Sequence, residues 1–269
     1  MAYGNHQLPY DVTSSEYLNI QGSKISKSSG AIIKVKDVID KFDVDVWRYV
    51  MIAISPETGD SDFKWDLFVD KVNNELIAIW GNLVNRSLKF SFKHFNKIPK
   101  PGTLIDIDKA MLLSIEDGFS QVSLLYKKVK LRAALEKILN LSKEVNKYLS
   151  DTTPWSLVKT DKKRASTIMY VTLQAIDWLK LMWFPILPHT CEKLHIYLGY
   201  NDLLGGRVYS EKVKDSRGEH NVLRYDHSMA TGTWRLERLR VEQALIEPKS
   251  LFNRIDDLAV NLGHDTVQA

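Results

Sequence analysis

A short segment near the start of the chain has the residue types needed to hold phosphate groups. Its sequence is Lys24-Ile25-Ser26-Lys27-Ser28, and Gly22 and Gly30 flank it. The flanking glycines leave the backbone free to move, and the two ammonium groups and the hydroxyls can donate hydrogen bonds to phosphate oxygens. Composition alone favours an ordinary solvated basic loop.

A second set of polar side chains lies at the edge of an apolar helix. From Trp65 to Phe90 apolar residues recur at three- and four-residue steps without a proline, which predicts one long amphipathic helix. Asn82 and Arg86 are one turn apart at the edge of its apolar stripe, and they offer an amide and a planar guanidinium to a partner. An ordinary helix-edge pair has the same pattern.

Trp155 is the third candidate. It follows Pro154 in the link between two later helical segments, and basic residues follow it at positions 159, 162, 163 and 164. Taken alone, a tryptophan of this kind is more often a core or helix-capping aromatic, and a basic run is more often a solvated face.

The composition bounds the class of protein. The 269 residues, 44% of them hydrophobic, can bury a core, and a formal charge of +4 permits a polyanionic partner without requiring one. The single cysteine, Cys191, excludes an intramolecular disulfide, and we expect it to be a small buried hydrophobe. The histidines lack metal-ligand spacing, so no metal site is expected. A polar start and the lack of a long apolar run predict a soluble cytoplasmic protein without a membrane partner.

The candidates depend on a mainly α-helical fold for their positions. Before residue 64 we predict strands at 17–20 and 31–35, two helical pieces at 36–54 joined near Asp43, and a polar turn at 58–63. Beyond the long helix we predict two antiparallel helices at 107–149 that break near 127–130, then helices at about 165–184 and 190–198. Asp106 is the expected cap of the first of these. Residues 200–232 are interpreted as loop, and the end around Ile255, Leu258 and Leu262 as a helix.

The motifs, taken together, resemble a known family. Lys24 to Ser28 resembles K-M-S-K-S, the signature of class I aminoacyl-tRNA synthetases, with Ile25 in place of methionine. Further residues resemble methionyl-tRNA synthetase in their order and spacing. They are Asp45, Arg48, Tyr49, Pro56-Glu57, Asp60, Asp62, Phe63, Trp65, Asn73, Glu75-Leu76, Gly81-Asn82, Arg86, Arg132-Ala133, Asn146-Lys147-Tyr148, Pro154-Trp155, Pro185, Leu187-Pro188, Pro248 and Leu251-Phe252.

This resemblance implies an architecture. It implies an anticodon-binding antiparallel helix bundle at 64–199, preceded at 1–63 by a small α/β element, which is the end of the catalytic region with the K-M-S-K-S loop and a stem-contact element. A loop insertion and a carboxy-terminal helix would follow at 200–269. The family's H-I-G-H motif, nucleotide-binding half and zinc knuckle do not occur in the sequence. We therefore expect the carboxy-terminal portion of a synthetase.

The family forms a methionyl-adenylate from methionine and ATP, with Mg²⁺, and then transfers methionine to its tRNA. The resemblance assigns Lys24, Ser26, Lys27 and Ser28 to stabilising the leaving phosphates, with Lys27 binding ATP. Without the nucleotide-binding half these groups have no nucleotide to act on. We therefore expect no bound cofactor and no aminoacylation by this chain alone.

The resemblance also matches Asn82, Arg86 and Trp155 to the residues that read the C-A-U anticodon. The expected partners are the tRNA(Met) anticodon stem-loop and the missing amino-terminal catalytic domain. Trp155 would stack on a base, and Asn82 and Arg86 would hydrogen-bond base edges. The lysines and Arg164 after Trp155 would hold phosphates. Ala78 departs from the family, since some members have an asparagine one turn before Asn82.

Two alternatives stay open. A synthetase for leucine, isoleucine or valine has a related bundle, although Pro154-Trp155 with Asn82 and Arg86 argues against it. A free-standing helical tRNA-binding protein descended from a synthetase would have no need of the lysine loop, so its presence favours an enzyme. Stem-loops with altered anticodons would test the first alternative.

Overall fold

Helices make up most of the structure, a computed structural model that describes residues 9, 11–26 and 32–256, without the side chain of Asp37. The strands are β1 (Leu18–Ile20), β2 (Ser23–Lys24), β3 (Ser61–Phe63), β4 (Arg207–Asp215) and β5 (Gly218–Asp226). The helices are α1 (Val35–Ile39), α2 (Val44–Ala53), α3 (Trp65–Asp70), the π segment (Lys71–Gly81), α4 (Asn82–Phe95), α5 (Asp106–Lys127), α6 (Leu131–Thr152), α7 (Pro154–Leu157), α8 (Lys162–Trp183) and α9 (Pro188–Tyr197). The predicted class, a helix bundle preceded by a small α/β element, is confirmed.

A three-stranded sheet positions the start of the lysine loop. β1 pairs antiparallel with β2 and parallel with β3. Gln21 and Gly22 turn the chain between β1 and β2 with φ angles of 52° and 76°, and the Gly22 amide donates to Asp62 Oδ1 at 2.9 Å. β2 leads directly into the loop, so this turn sets where the loop begins.

Aromatic side chains join the sheet to the bundle. Phe63 of β3 stacks on Trp47 of α2 with ring centroids 5.5 Å apart, and Trp65 and Phe68 of α3 contact both rings. All four residues are buried. Because buried aromatic rings remove a large apolar area from water, the sheet and the bundle are held together by one continuous core.

The predicted long helix is present, but its middle is wider than an α-helix. α3, the π segment and α4 run without a break from Trp65 to Phe95. Fully buried residues recur along it at a constant spacing of four: Phe68, Val72, Leu76, Trp80 and Val84. On an α-helix of 3.6 residues per turn, each four-residue step drifts by about 40°. The wider π turn reduces this drift, so the buried side chains stay on one face.

α5, α6 and α8 form the bundle beside this long helix. Only three residues separate α5 from α6, so they are antiparallel neighbours, as predicted. α8 is buried almost all round from Ala165 to Trp183, as a central helix must be. Gln174 Nε2 and Trp178 Nε1 of α8 donate to the Glu237 carbonyl at 3.0 and 2.6 Å. The segment after the hairpin is thereby attached to the centre of the bundle.

The first turn of α5 corrects the prediction of its cap. Ile105 is the N-cap residue, and Asp106 is the exposed first residue of the helix. Asp108, two residues further on, is buried and accepts a hydrogen bond from the Ile105 amide at 3.0 Å. A carboxylate at the third helical position can reach back to the cap amide, which Asp106 cannot do.

Three segments differ from the sequence predictions. Within the predicted loop at 200–232, residues 207–226 form the β4–β5 hairpin, paired from Arg207–Asp226 to Asp215–Gly218. The run at 31–35 is not a strand in its described part, because residues 32–34 are irregular and Val35 begins α1. The turn at 58–63 ends in β3, since Ser61 to Phe63 pair with β1.

The end of the chain contacts the long helix without being helical where it is described. Asn73 Nδ2 donates to the Ile255 carbonyl at 2.7 Å, and Asn73 Oδ1 accepts from the Ile255 amide at 3.0 Å. This pairing holds residues 252–256 in an irregular conformation. The predicted helix is therefore wrong at Ile255, and its other members, Leu258 and Leu262, lie outside the described residues.

Candidate nucleic-acid interface

Trp155 lies on a short helix whose start is fixed by its neighbours. α6 ends at Thr152, Thr153 has a φ of 39°, and Pro154 begins α7. Proline suits the first helical position, because the amide that it lacks would have no partner there. Pro154 is buried, whereas Trp155 is 42% exposed. The backbone is therefore anchored while the indole stays open to a partner.

Arg86 lies over this indole. Its Cζ is 5.7 Å from the centroid of the Trp155 ring, within the range of a cation–π contact. Its Nη2 also donates to Asn146 Oδ1 at 3.0 Å. Arg86 and Trp155 are 69 residues apart in sequence, and the fold brings an exposed guanidinium and an exposed aromatic face together. Such a pair offers both a stacking surface and hydrogen-bond donors to a planar ligand.

Asn146 is a site residue that the sequence did not single out for a role. Its Nδ2 donates to the carbonyls of Ile79 and Ser142 at 2.9 and 3.1 Å, while its Oδ1 accepts from Arg86. These bonds tie α6 to the end of the π segment and fix which way the amide faces. Asn146 therefore orients Arg86. The indication in the sequence was that Asn146 belongs to the segment Asn146-Lys147-Tyr148, which resembles the family.

Asn82 lies one helical turn before Arg86. It is the first residue of α4, immediately after the π segment, and it is exposed. Residues four apart on a helix are neighbours on its surface, so Asn82 extends the face that carries Arg86. Ala78, one turn earlier, is exposed on the same side and contributes only a methyl group there. The polar part of this face therefore begins at Asn82.

Arg164, predicted to hold phosphates, has a structural partner instead. Its Nη1 and Nη2 donate to the two carboxylate oxygens of Asp108 at 2.6 and 2.8 Å, and Tyr148 Oη donates to Asp108 Oδ1 at 2.6 Å. Asp108 is fully buried. A two-pronged pair of this geometry satisfies the guanidinium, so Arg164 is not available as a phosphate ligand. Lys159, Lys162 and Lys163 of the same basic run are exposed.

The pair sets the ionisation of the buried carboxyl. Burial by itself disfavours the charged form of Asp108, but the hydrogen bonds from Arg164, Tyr148 and the Ile105 amide outweigh it, so the pKa of Asp108 lies below its ordinary value. The same carboxylate raises the pKa of Arg164, through its hydrogen bond first. Asp108 and Arg164 are thus both charged at neutral pH, and they join α5 to α8 close to α7.

Only part of the predicted lysine loop falls in the described residues. Lys24 is exposed at the end of β2, with its Nζ 5.5 Å from the centroid of the Tyr17 ring. Ser26 is partly buried. Lys27 and Ser28 lie outside the described residues. Lys24 belongs to the small sheet, whereas Asn82, Arg86 and Trp155 belong to the bundle, so the two predicted sites are on different parts of the fold.

Two other residues with reactive side chains, Cys191 and His195, have structural roles. Cys191 is fully buried, and burial raises the pKa of its thiol, which fits the predicted small hydrophobe rather than a nucleophile. His195 Nδ1 lies 2.9 Å from the buried Lys180 Nζ, and His195 Nε2 lies 2.8 Å from Asp202 Oδ1. These contacts attach residue 202 to α8 and α9. Burial and the Lys180 charge keep the pKa of His195 below its usual value.

Among the residues that the structure describes, no group of three His, Cys, Asp or Glu side chains is arranged to hold a metal ion. In the same part of the chain, no helix is both long and apolar enough to cross a bilayer.

Two family models match the chain. One described as tRNA synthetases class I (M) matches residues 1–88, and one described as the anticodon binding domain of methionyl tRNA ligase matches residues 98–215. Both agree with the family resemblance drawn from the sequence.

Curated relatives and solved structures agree with these models. The chain is 40% identical over 255 residues to a methionine–tRNA ligase of Chloroflexus aggregans, which covers 94% of this chain and 42% of the relative. It is 38% identical over 261 residues to that of Roseiflexus sp., covering 97% and 44%. A Mycobacterium tuberculosis methionyl-tRNA synthetase in complex with methionyl-adenylate superposes with a TM-score of 0.76 at 26% identity, covering 92% of this chain and 45% of that one. The chain thus spans about two fifths of the length of these relatives.

Proposed function

The chain belongs to the methionyl-tRNA synthetase family, and we propose on that premise that it reads the C-A-U anticodon of tRNA(Met) with Asn82, Arg86 and Trp155. The observation that carries the proposal is the exposed Trp155 ring with the Arg86 guanidinium over it, its Cζ 5.7 Å from the ring centroid. Anticodon bases are single-stranded, so they can be unstacked, placed on an aromatic ring and hydrogen-bonded along their edges.

Each side chain has a distinct part in this reading. A base on the open face of Trp155 gains stacking energy whatever its identity. Arg86, oriented by Asn146, presents parallel N–H groups in a fixed plane, which suit the acceptor edge of a base. Asn82 carries both a donor and an acceptor, so it distinguishes base edges that Arg86, which has donors only, does not. Discrimination is therefore assigned to Arg86 and Asn82, and affinity mainly to Trp155.

The lysine loop serves the first reaction of the same enzyme. ATP, when bound, supplies the adenylyl group and the leaving pyrophosphate, and Mg²⁺ would accompany its phosphates. The Lys24 ammonium suits a phosphate-binding role, because it is exposed and lies over the Tyr17 ring. Together with Ser26, Lys27 and Ser28, it would donate hydrogen bonds to the phosphate oxygens as negative charge develops on them.

An apolar surface beside the loop is the proposed contact for the nucleotide-binding half. It lines a cavity of about 610 Å³, and Ile25, Val35, Ile39 and Val44 are exposed there. Contiguous exposed apolar side chains mark interaction surfaces in soluble proteins. The relatives are more than twice as long as this chain, and the class I model already matches residues 1–88. We place the assembled enzyme in the cytoplasm, where tRNA is charged.

This division of labour predicts that the chain alone is catalytically silent. Incubated with methionine, ATP and labelled pyrophosphate, it is expected to show no methionine-dependent exchange, because the groups that bind adenosine and methionine are not among its motifs. A relative of full length, assayed in parallel, provides the positive control. A measurable exchange rate for the chain alone would contradict the prediction.

The anticodon assignment is tested with stem-loops that differ only in the anticodon. The chain is expected to bind the C-A-U loop more tightly than loops with leucine, isoleucine or valine anticodons, at one stated salt concentration, because Arg86 and Asn82 face base edges. Replacing Arg86 by glutamine should reduce this preference by roughly 1–3 kcal/mol, the size of one good side-chain–base contact. Equal affinity for all loops would favour the rival synthetases or a non-specific tRNA-binding protein.

A further inference from the structure

A lysine-lined cavity lies at the far end of α4 from Asn82. It has a volume of about 340 Å³ and is formed by the end of α4, the link at 97–100, the start of α8 and Glu242. Its lining residues are His94, Phe95, Lys97, Pro99, Lys100, Lys162, Lys163, Ser166 and Glu242. Four ammonium groups and one carboxylate therefore surround a space large enough for a small anionic group. We call it the lysine cavity.

The backbone around the lysine cavity is rigidly held. Ile98 is fully buried, and its amide donates to the Gln243 carbonyl at 2.8 Å. The Gly102 amide donates to Thr167 Oγ1 at 2.8 Å, and Ser166 Oγ donates to the Lys100 carbonyl at 2.6 Å. The link is thus tied both to the tail segment and to α8. The lysine side chains extend from fixed positions rather than from a mobile loop.

The charges of the lysine cavity are not balanced within the described part of the chain. Lys97 pairs with Glu242, but Lys100, Lys162 and Lys163 have no carboxylate within 4.0 Å there. Lys162 and Lys163 are the first two residues of α8. The N-cap residue, Asp161, is acidic and accepts from the Arg164 amide at 2.9 Å, but the first turn itself has no acidic residue. Cations at a helix N-terminus oppose the helix dipole, so this placement costs stability.

The lowered pKa of His94 reflects the same excess of positive charge. Its ring is 4.5 Å from that of Phe90, and its pKa lies below the usual value, through burial first and then through the charges of Lys93 and Lys162. Like charges that crowd a rigid cavity at a cost in stability are expected where a ligand of opposite charge binds.

A basic stripe connects the lysine cavity with the base-reading side chains. Asn82, Arg86, Lys89 and Lys93 follow one another on α4 at spacings of four, three and four, and all are exposed. These spacings place them on one face of the helix. From Arg86 to His94 the helix rises by about 12 Å. α4 contains no Asp or Glu, so nothing on it would repel a polyanion along that path.

We propose that the lysine cavity binds a backbone phosphate of the RNA strand whose bases are read at Trp155. The inference rests on the proposed function, and it assigns a second, sequence-independent contact to Lys100, Lys162 and Lys163. The strand runs along the stripe on α4, and the phosphate occupies the cavity. Phosphate contacts fix the register of the strand and carry no sequence information, so this site sets where the bases lie and leaves discrimination to Asn82 and Arg86.

The test compares the double variant Lys162→Ala/Lys163→Ala with Lys127→Ala/Lys128→Ala, which removes two exposed lysines from the end of α5. Affinities for a C-A-U stem-loop and for one with a scrambled anticodon are measured between about 50 and 200 mM salt. The first variant is expected to bind both RNAs more weakly by the same factor. Its slope of log K against log salt should fall by about 0.7–0.9 for each phosphate lost, while the control behaves as the wild type. Its melting temperature should stay level or rise, because two unfavourable helix-terminal charges are removed.

Each of the other outcomes would overturn at least one of the two proposals. Wild-type slope and affinity in the first variant, or a loss confined to the C-A-U loop, would overturn the phosphate site while leaving anticodon reading intact. A wild type that binds both RNAs equally, with the slope still lowered in the variant, would overturn the anticodon proposal and keep the site. If the wild type binds neither RNA, both are wrong. Inorganic phosphate that shifts the His94 ring resonances without any change in the RNA slope would assign the cavity to a free anion and overturn the RNA contact.

Discussion

Replacing Trp155 by alanine is expected to weaken binding of the C-A-U stem-loop by roughly 5- to 150-fold. The indole provides the exposed stacking surface, and loss of one base–aromatic stack costs about 1–3 kcal/mol. Arg86 also loses the ring 5.7 Å from its Cζ, so its guanidinium is held by Asn146 alone. Fluorescence anisotropy with a labelled stem-loop, at fixed salt, measures the change. Loops with other anticodons should lose affinity by a similar factor, because stacking does not depend on base identity.

A second tryptophan provides the matched control. Trp234 is 39% exposed, close to the 42% of Trp155, but it stacks on Phe119 with ring centroids 4.7 Å apart, outside the proposed interface. The Trp234→Ala variant should keep the wild-type affinity for RNA. Trp155→Phe should retain part of the stacking, and its affinity should lie between those of the wild type and Trp155→Ala. Unchanged affinity in Trp155→Ala, with the fold intact, would show that the base stacks elsewhere.

The helices were predictable because their buried residues recur at helical spacing over long stretches. The break before Pro188 also has a local cause that the sequence displays, because Pro185 and Pro188 interrupt the helical pattern. The π segment was not predicted, although its signal was present. Four-residue steps sustained from Phe68 to Val84 exceed the α-helical period, and an ideal α-helix would carry them off the buried face.

The hairpin and the structural role of Arg164 were not predictable, for different reasons. The β4–β5 hairpin projects with both faces exposed, so no alternation of buried and exposed residues marks it, and its turn at 216–217 lacks an Asn-Gly or Asp-Gly pair. Arg164 lies in a basic run that looks solvated, and its partner Asp108 is 56 residues away. Only the packing of α5 on α8 shows that the Arg164 guanidinium is already paired with Asp108.

The sequence predicted which three residues form the candidate site, but not how their side chains are arranged. Asn82, Arg86 and Trp155 came from the resemblance to a family, since each alone has an ordinary structural explanation. The distance that joins Arg86 to Trp155 depends on how α4 and α7 pack, and the orientation of Arg86 depends on Asn146 of α6. These are contacts between distant segments, which spacing along one helix cannot express.

Replacing Asp108 by alanine is expected to destabilise the protein by about 3–5 kcal/mol, because it leaves a largely buried Arg164 without its partner. Tyr148 Oη and the Ile105 amide lose an acceptor as well. For a protein of this size the melting temperature should fall by about 6–20 °C, measured by calorimetry or circular dichroism. RNA binding at a temperature where the variant is folded should change little, since neither Asp108 nor Arg164 is assigned to the interface.

Asp106→Ala is the control for this prediction, and pH provides an independent check. Asp106 occupies the same first turn of α5 but is exposed, so its loss should cost less than about 1 kcal/mol. The pKa of Asp108 is depressed in the folded state, so the unfolded chain takes up its proton first on acidification. The charge-dependent stabilisation is therefore complete above the ordinary carboxyl pKa of 3.8 and is lost as the pH falls through the lower, folded-state value. Stability curves of the wild type and Asp108→Asn should converge in that acidic range, and curves that stay parallel through it would mean that the buried ion pair does not hold α5 to α8.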